Sequence, residues 1–178
     1  MSDILDIKPI ERYGKVLIVD DEPDLREMVQ EILESKKIKV TVAENPIIAL
    51  EILANEKFDM ILSDVSMPEM TGIQFLEVVC QKGDFTPFVF YSGFYEKNML
   101  RKSMQLGAFD FLEKPISPKK LIAVVENAAE VGVLQRKINF IKERKNVKLF
   151  DFIAEYEKKI AELKLINFNA SGEAKQVG

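Results

Sequence analysis

Four stretches of this chain set oxygen-bearing or cationic side chains directly after a short apolar run. KVLIV (15–19) leads into Asp20, Asp21 and Glu22; FDMILS (58–63) leads into Asp64; PFVFY leads into Ser92 and Gly93; and AFDFLE leads into Lys114 and Pro115. Crowded carboxylates repel and raise one another's pKa unless a cation neutralises them. A donor set made of oxygen alone suits Mg²⁺, which keeps several waters and takes few protein ligands. With Mg²⁺ beside it, Asp64 can act as an oxygen nucleophile toward a phosphoryl group. Lys114 would stabilise charge on the transferring oxygens, and Ser92 would donate a hydrogen bond to one of them. The product is an acyl phosphate, an aspartate carrying about two negative charges. The chain has no histidine, which excludes histidine-ligated zinc and serine–histidine triads. Taken singly, an Asp-Asp after a strand is a helix cap, and Lys-Pro or Ser-Gly is a turn; the chemistry rests on all four falling on one edge.

Whether they share an edge depends on the elements around them. KVLIV is apolar throughout, as a strand buried on both faces must be, and DEPDLREMVQEILESKK follows with Leu25, Met28, Val29, Ile32 and Leu33 at helical spacing. Asp21 is the expected N-cap of that helix and Pro23 suits its first turn. The alternation repeats: strand 39–44 and a helix opened by Asn45 and Pro46; strand 58–65 and a helix stopped by Gly83; a strand ending at Ser92 and Gly93, then a helix closed by Gly107; and strand 108–115 with a helix begun by Ser117 and Pro118. Five strand–helix units in strict order predict an α/β fold: a doubly wound, five-stranded parallel sheet of the flavodoxin-like (βα)5 type, with helices on both faces. In such sheets ligands bind beyond the carboxyl ends of the strands, where Asp20, Asp21, Asp64, Ser92 and Lys114 fall. A cis Lys114–Pro115 bond would direct the lysine inward; both isomers are compatible with the sequence.

The strings VLIVDDEPDLREMV, ILSDVSMPEMTGIQFL, FVFYSGF and GAFDFLEKPISPKKL resemble the response-regulator receiver domain, the phosphoryl-accepting partner of sensor histidine kinases in two-component systems. The D-x-x-M-P-x-M-x-G string is the most specific of them. The resemblance implies that Asp64 is the phosphoacceptor. Asp20 and Asp21 would hold Mg²⁺ together with Asp64 and the backbone carbonyl of Ser66, with Asp21 the more direct ligand. Ser92 would be the switch hydroxyl, Lys114 the phosphate-contacting lysine, and Phe111 the aromatic that turns inward when the switch hydroxyl moves. Ser66 and Phe94 stand where the family tunes autodephosphorylation, and an apolar Phe94 would shield the acyl phosphate and prolong its life. The implied partners are a sensor histidine kinase or phosphotransfer protein and a downstream protein. The latter would read the face formed by the fourth helix, fifth strand and fifth helix. Such a protein is no enzyme in the ordinary sense, since it catalyses only its own phosphorylation and dephosphorylation.

The division expected is an N-terminal extension (1–13), the receiver (14–134), a helical, coiled-coil-like extension (135–168) and a disordered tail (169–178). After residue 134 the chain is rich in helix formers, and Leu134, Ile138, Ile141, Lys145, Leu149, Phe152, Tyr156, Ile160 and Leu163 recur at steps of three or four. Such a stripe serves a coiled-coil homodimer or packs back on its own receiver, either as one continued helix or as a hairpin broken near Asn146. The basic run at 136–148 opposes six cations to Glu143, and reads first as a solvated helix face. With a net charge of −4, one cysteine and no long apolar run, neither nucleic acid nor membrane is an expected partner, and the cytoplasm is the expected location. Two other roles stay open: the receiver part of a regulator whose output lies elsewhere, and a pseudo-receiver scaffold that is never phosphorylated.

Overall fold

A computed structural model of the chain describes residues 14–93, 97–143 and 150–173. The elements run β1 (Lys15–Val19), α1 (Pro23–Glu34), β2 (Lys39–Ala43), α2 (Pro46–Asn55), β3 (Met60–Ser63), α3 (Gly72–Gln81), β4 (Phe88–Ser92), α4 (Lys97–Gln105), β5 (Asp110–Glu113), α5 (Pro118–Glu143) and α6 (Phe150–Glu173). The sheet is parallel throughout, in the order β2-β1-β3-β4-β5, as the alternating strand and helix patterns require.

Strand side chains alternate between two apolar layers. Val16, Ile18, Met60, Leu62, Val89, Tyr91 and Leu112 pack with Val29 and Leu33 of α1 and with Leu121, Val125 and Ala128 of α5. Leu17, Val19, Ile61, Phe88 and Phe90 pack on the other side with Ala49 of α2 and with Phe75, Leu76 and Val79 of α3. Because both faces are covered, the central strands lack any polar alternation.

The helix starts follow local chemistry. Asn45 accepts a hydrogen bond from the Ile48 amide at α2, and Thr71 with Gln74 forms a capping box at α3. At α1 the expectation needs correction: Glu22 is the N-cap, not Asp21, and it makes no side-chain cap bond. Asp20 braces the turn just before the helix, its Oδ1 accepting from the Glu22 amide at 2.9 Å.

α5 passes residue 134, where the resemblance ends, and continues to Glu143. α6 then runs antiparallel along it. Asn127 Nδ2 donates to the Leu163 carbonyl at 3.1 Å, Lys159 pairs with Glu130, and Lys142 Nζ lies 3.7 Å from Glu157. The apolar stripe thus turns back on its own chain as a hairpin; the expected break near Asn146 lies outside the described residues. The helix reaches Glu173, five residues into the segment read as disordered. The extension 1–13, Phe94 and residues 174–178 also lie outside the described residues.

Candidate functional site

The order of strands reverses between β1 and β3, and at such a switch point the loops above the carboxyl ends diverge and leave a crevice. Val19 is in register with Ser63, so the next residues, Asp20 and Asp64, stand side by side. The Asp64 amide donates to the Val19 carbonyl at 2.8 Å. Both carboxylates are buried, at 4% and 6% exposure, which an unpaired carboxylate does not tolerate.

Lys114 is the compensation. Its Nζ donates to Asp64 Oδ1 at 2.9 Å and to Asp20 Oδ2 at 3.0 Å, with Glu22 Oε1 at 3.9 Å. Burial acts to strip the ammonium of its proton, but the hydrogen bonds to Asp64 and Asp20 and the charges of both outweigh it. The pKa of Lys114 therefore stands above the ordinary lysine value. The lysine arrives there because its amide donates to the Ser92 carbonyl at 2.9 Å, which ties the ends of β4 and β5 together. The Lys114–Pro115 bond is cis.

Ser92 is 2% exposed at the end of β4, one strand from Asp64. The Ser66 amide donates to Asp64 Oδ2 at 2.5 Å, which fixes the other oxygen of that carboxylate. Phe111, half-buried on β5, stacks at a tilt on Phe90 with ring centroids 6.0 Å apart. Asp21 differs from the rest. It is exposed beside Asp20, and among the described residues no three acidic or thiol side chains converge as a ready metal cage. Two carboxylates meet rather than the expected three, and the cation between them is the Lys114 ammonium.

Two contributors escaped the sequence reading. Gly72 opens α3 against β3: a Cβ there would run into the Asp64 carbonyl oxygen, closer than any real contact. The last glycine of D-x-x-M-P-x-M-x-G is thus a packing requirement of the loop that holds Asp64, with its amide donating to the Val65 carbonyl at 2.9 Å. Tyr91, the residue before Ser92, puts its ring under Lys114, with Nζ 5.1 Å from the centroid. An aromatic inside an apolar run carried no signal of that contact.

A parallel five-stranded sheet with a buried Asp-Asp-Lys cluster at its carboxyl edge defines a class of signalling module, and comparison with known proteins names it. The sequence model of the response regulator receiver domain matches residues 16–126, and the chain belongs to that family. It is 35% identical over 114 residues to the response regulator protein PilR of Pseudomonas aeruginosa, a match covering 64% of this chain and 26% of PilR. It is 32% identical over 115 residues to the DNA-binding transcriptional regulator NtrC of Escherichia coli, covering 65% of this chain and 24% of that protein. The matched region is thus about a quarter of those relatives' length. Among solved structures, the chemotaxis response regulator CheY4 of Vibrio cholerae superposes with a TM-score of 0.61 at 31% identity, covering 65% of this chain and 98% of that one. The chain is therefore a receiver domain of a two-component response regulator, followed by a helical region.

Proposed function

We propose that Asp64 accepts a phosphoryl group from a histidine kinase or phosphotransfer protein, and that the charge it gains resets the surface of the receiver. The observation that carries this reading is the Lys114 ammonium, bonded at once to Asp20 and Asp64 in a buried crevice at the carboxyl edge of the sheet. One Asp64 carboxylate oxygen attacks phosphorus, the donor's P–N bond breaks with its electron pair leaving on the imidazole, and an acyl phosphate remains. Lys114 holds two carboxylates in the resting state, and its three N–H donors can follow the charge onto the phosphoryl oxygens. Ser92 donates its hydroxyl to one of those oxygens. Phe111, half-buried against Phe90, then changes its burial as Ser92 moves.

The residues present fit Mg²⁺: Asp20, the exposed Asp21, Asp64 and the Ser66 carbonyl are oxygen donors only, few in number, with solvent beside Asp21 to complete the shell. When bound, Mg²⁺ supplies neutralising charge for the carboxylates and for the transferring oxygens. Lys114 alone offers one positive charge to two carboxylates, so a phosphoryl group entering without a further cation meets net repulsion.

The wild-type protein incubated with acetyl phosphate and Mg²⁺ is expected to gain one phosphoryl group by intact mass, and Asp64→Asn none. Undiminished labelling of Asp64→Asn would refute the assignment, and an unlabelled wild type would favour the pseudo-receiver scaffold. What reads the phosphorylated state is a downstream protein meeting the face of α4, β5 and α5. The relatives PilR and NtrC, in which the match is a small part of a longer chain, support an output that lies outside the receiver. Among the described residues no helix is long and apolar enough to cross a membrane.

A further inference from the structure

The contact between Lys114 and Tyr91 belongs to this chain's own packing. The ammonium is held on one side by Asp20 and Asp64 at 3.0 and 2.9 Å. On another it meets the ring of Tyr91, 5.1 Å from the centroid. The Lys114 side chain is 12% exposed and Tyr91 is 4% exposed. The ring itself is anchored in the layer beneath α5, among Val89, Leu112, Leu121 and Val125, so it cannot follow the lysine. A buried cation next to an aliphatic wall would lose hydration on that flank without compensation. A ring face compensates through its quadrupole, and the attraction strengthens where water is excluded.

We propose that Tyr91 is a positioning residue for phosphoryl transfer: its ring face seats the Lys114 ammonium while leaving all three N–H donors free to swing from the carboxylates to the incoming phosphoryl oxygens. The inference rests on the reading of Asp64 as phosphoacceptor. The chemistry favours a ring over a hydrogen-bond acceptor at this place. An acceptor would take one N–H along a fixed direction and compete with the phosphate. A quadrupole attracts the ammonium whatever its rotation, so the lysine keeps its place and loses none of its donors. Burial, opposed by the charge of Lys114, raises the Tyr91 phenol above its ordinary pKa, so the ring carries no charge of its own at neutral pH.

The test uses the full chain with Tyr91→Phe, Tyr91→Leu, and trifluorophenylalanine in place of Tyr91. The last keeps the shape while cancelling the negative ring face, which guards against Tyr91→Leu failing to fold. Acetyl phosphate labelling in Mg²⁺ should proceed at the wild-type rate in Tyr91→Phe. It should be roughly fivefold slower in the other two, the rate equivalent of about 1 kcal/mol. The second readout is independent of phosphorylation: the Lys114 Cε protons should be ring-current shifted upfield in the NMR spectra of wild type and Tyr91→Phe, and unshifted in Tyr91→Leu. Equal labelling rates for phenylalanine and trifluorophenylalanine would overturn the proposal while leaving Asp64 as the acceptor. If the wild type is not labelled at all, the reading of Asp64 falls with it. In that event an absent upfield shift would show that the ring does not seat the ammonium either.

Discussion

At the scale of single residues, the site depends on atoms packed more tightly than the motif's spelling conveys. Asp64 is held from several directions: its amide on the Val19 carbonyl, its carboxylate on the Ser66 amide and Lys114, and its carbonyl on the Ser63 hydroxyl at 2.8 Å. Gly72 lies against that same carbonyl, so a methyl group at position 72 has to displace backbone rather than a pliable side chain. Gly72→Ala is therefore expected to cost about 2 kcal/mol, as overpacking of a close-packed site does. It should also slow labelling of Asp64 by moving the end of β3. Urea unfolding and the acetyl phosphate reaction measure the two effects, and a fully stable, normally labelled variant would contradict the packing argument. The sequence names Asp20, Asp64, Ser92 and Lys114 because each is a polar residue ending an apolar strand. Tyr91 and Gly72 act through shape and contact, which no single position reveals.

At the scale of elements, α5 is joined to the receiver well beyond the matched region. Gly132 lies against the main chain of Asp59, where a Cβ would overlap the carbonyl oxygen. One turn later the Arg136 guanidinium reaches Asp59 Oδ1 through both Nε and Nη2 at 2.5 Å. Asp59 is 1% exposed and its other oxygen accepts from the Lys15 amide at 2.7 Å. Removing the arginine leaves a buried carboxylate without its cation. Breaking a fully buried pair costs about 3–5 kcal/mol. The Arg136 side chain is half exposed, so Arg136→Ala should cost about 2 kcal/mol in thermal or urea unfolding. Truncation after residue 134 should cost at least as much, and a truncated chain as stable as the whole would show that the clasp contributes nothing. In the sequence Arg136 was one of a basic run with a solvated reading. The tertiary structure singles it out because α5 stays straight long enough to carry it over the start of β3.

At the scale of the whole molecule, the α5–α6 hairpin occupies the stripe that had equal claim to a coiled-coil homodimer. Leu134, Ile138 and Ile141 of α5 are buried, and Tyr156, Ile160 and Leu163 of α6 are half-buried; Phe152, expected in the stripe, is exposed, and Ile153 beside it is half-buried instead. The polar links between the helices are exposed ion pairs, Lys137 over the Tyr156 ring at 5.6 Å and the part-buried Asn127–Leu163 hydrogen bond, each worth about 1 kcal/mol. The hairpin is therefore held mainly by its apolar stripe. Ile160→Asp, which sets a charge in that stripe at a cost of about 2 kcal/mol, should free α6 while the receiver stays folded. Hydrogen exchange should then show lost protection over residues 150–166 with unchanged protection in β1, β3 and β4. Unchanged protection in α6 would mean that contacts other than the stripe secure it.

The sequence by itself determined the five βα units, the parallel sheet and the polar residues at its carboxyl edge. These are local matters: apolar runs, helical periods and turn residues are each spelled within a few positions. Only the tertiary structure decided which charges share a cation, that Lys114 serves Asp20 and Asp64 while Asp21 faces solvent, and that the last helix folds back on α5. Those outcomes depend on distances between residues as far apart as 20 and 114, or 127 and 163. Such distances are set by strand register and helix packing, and the identity of the side chains alone does not contain them.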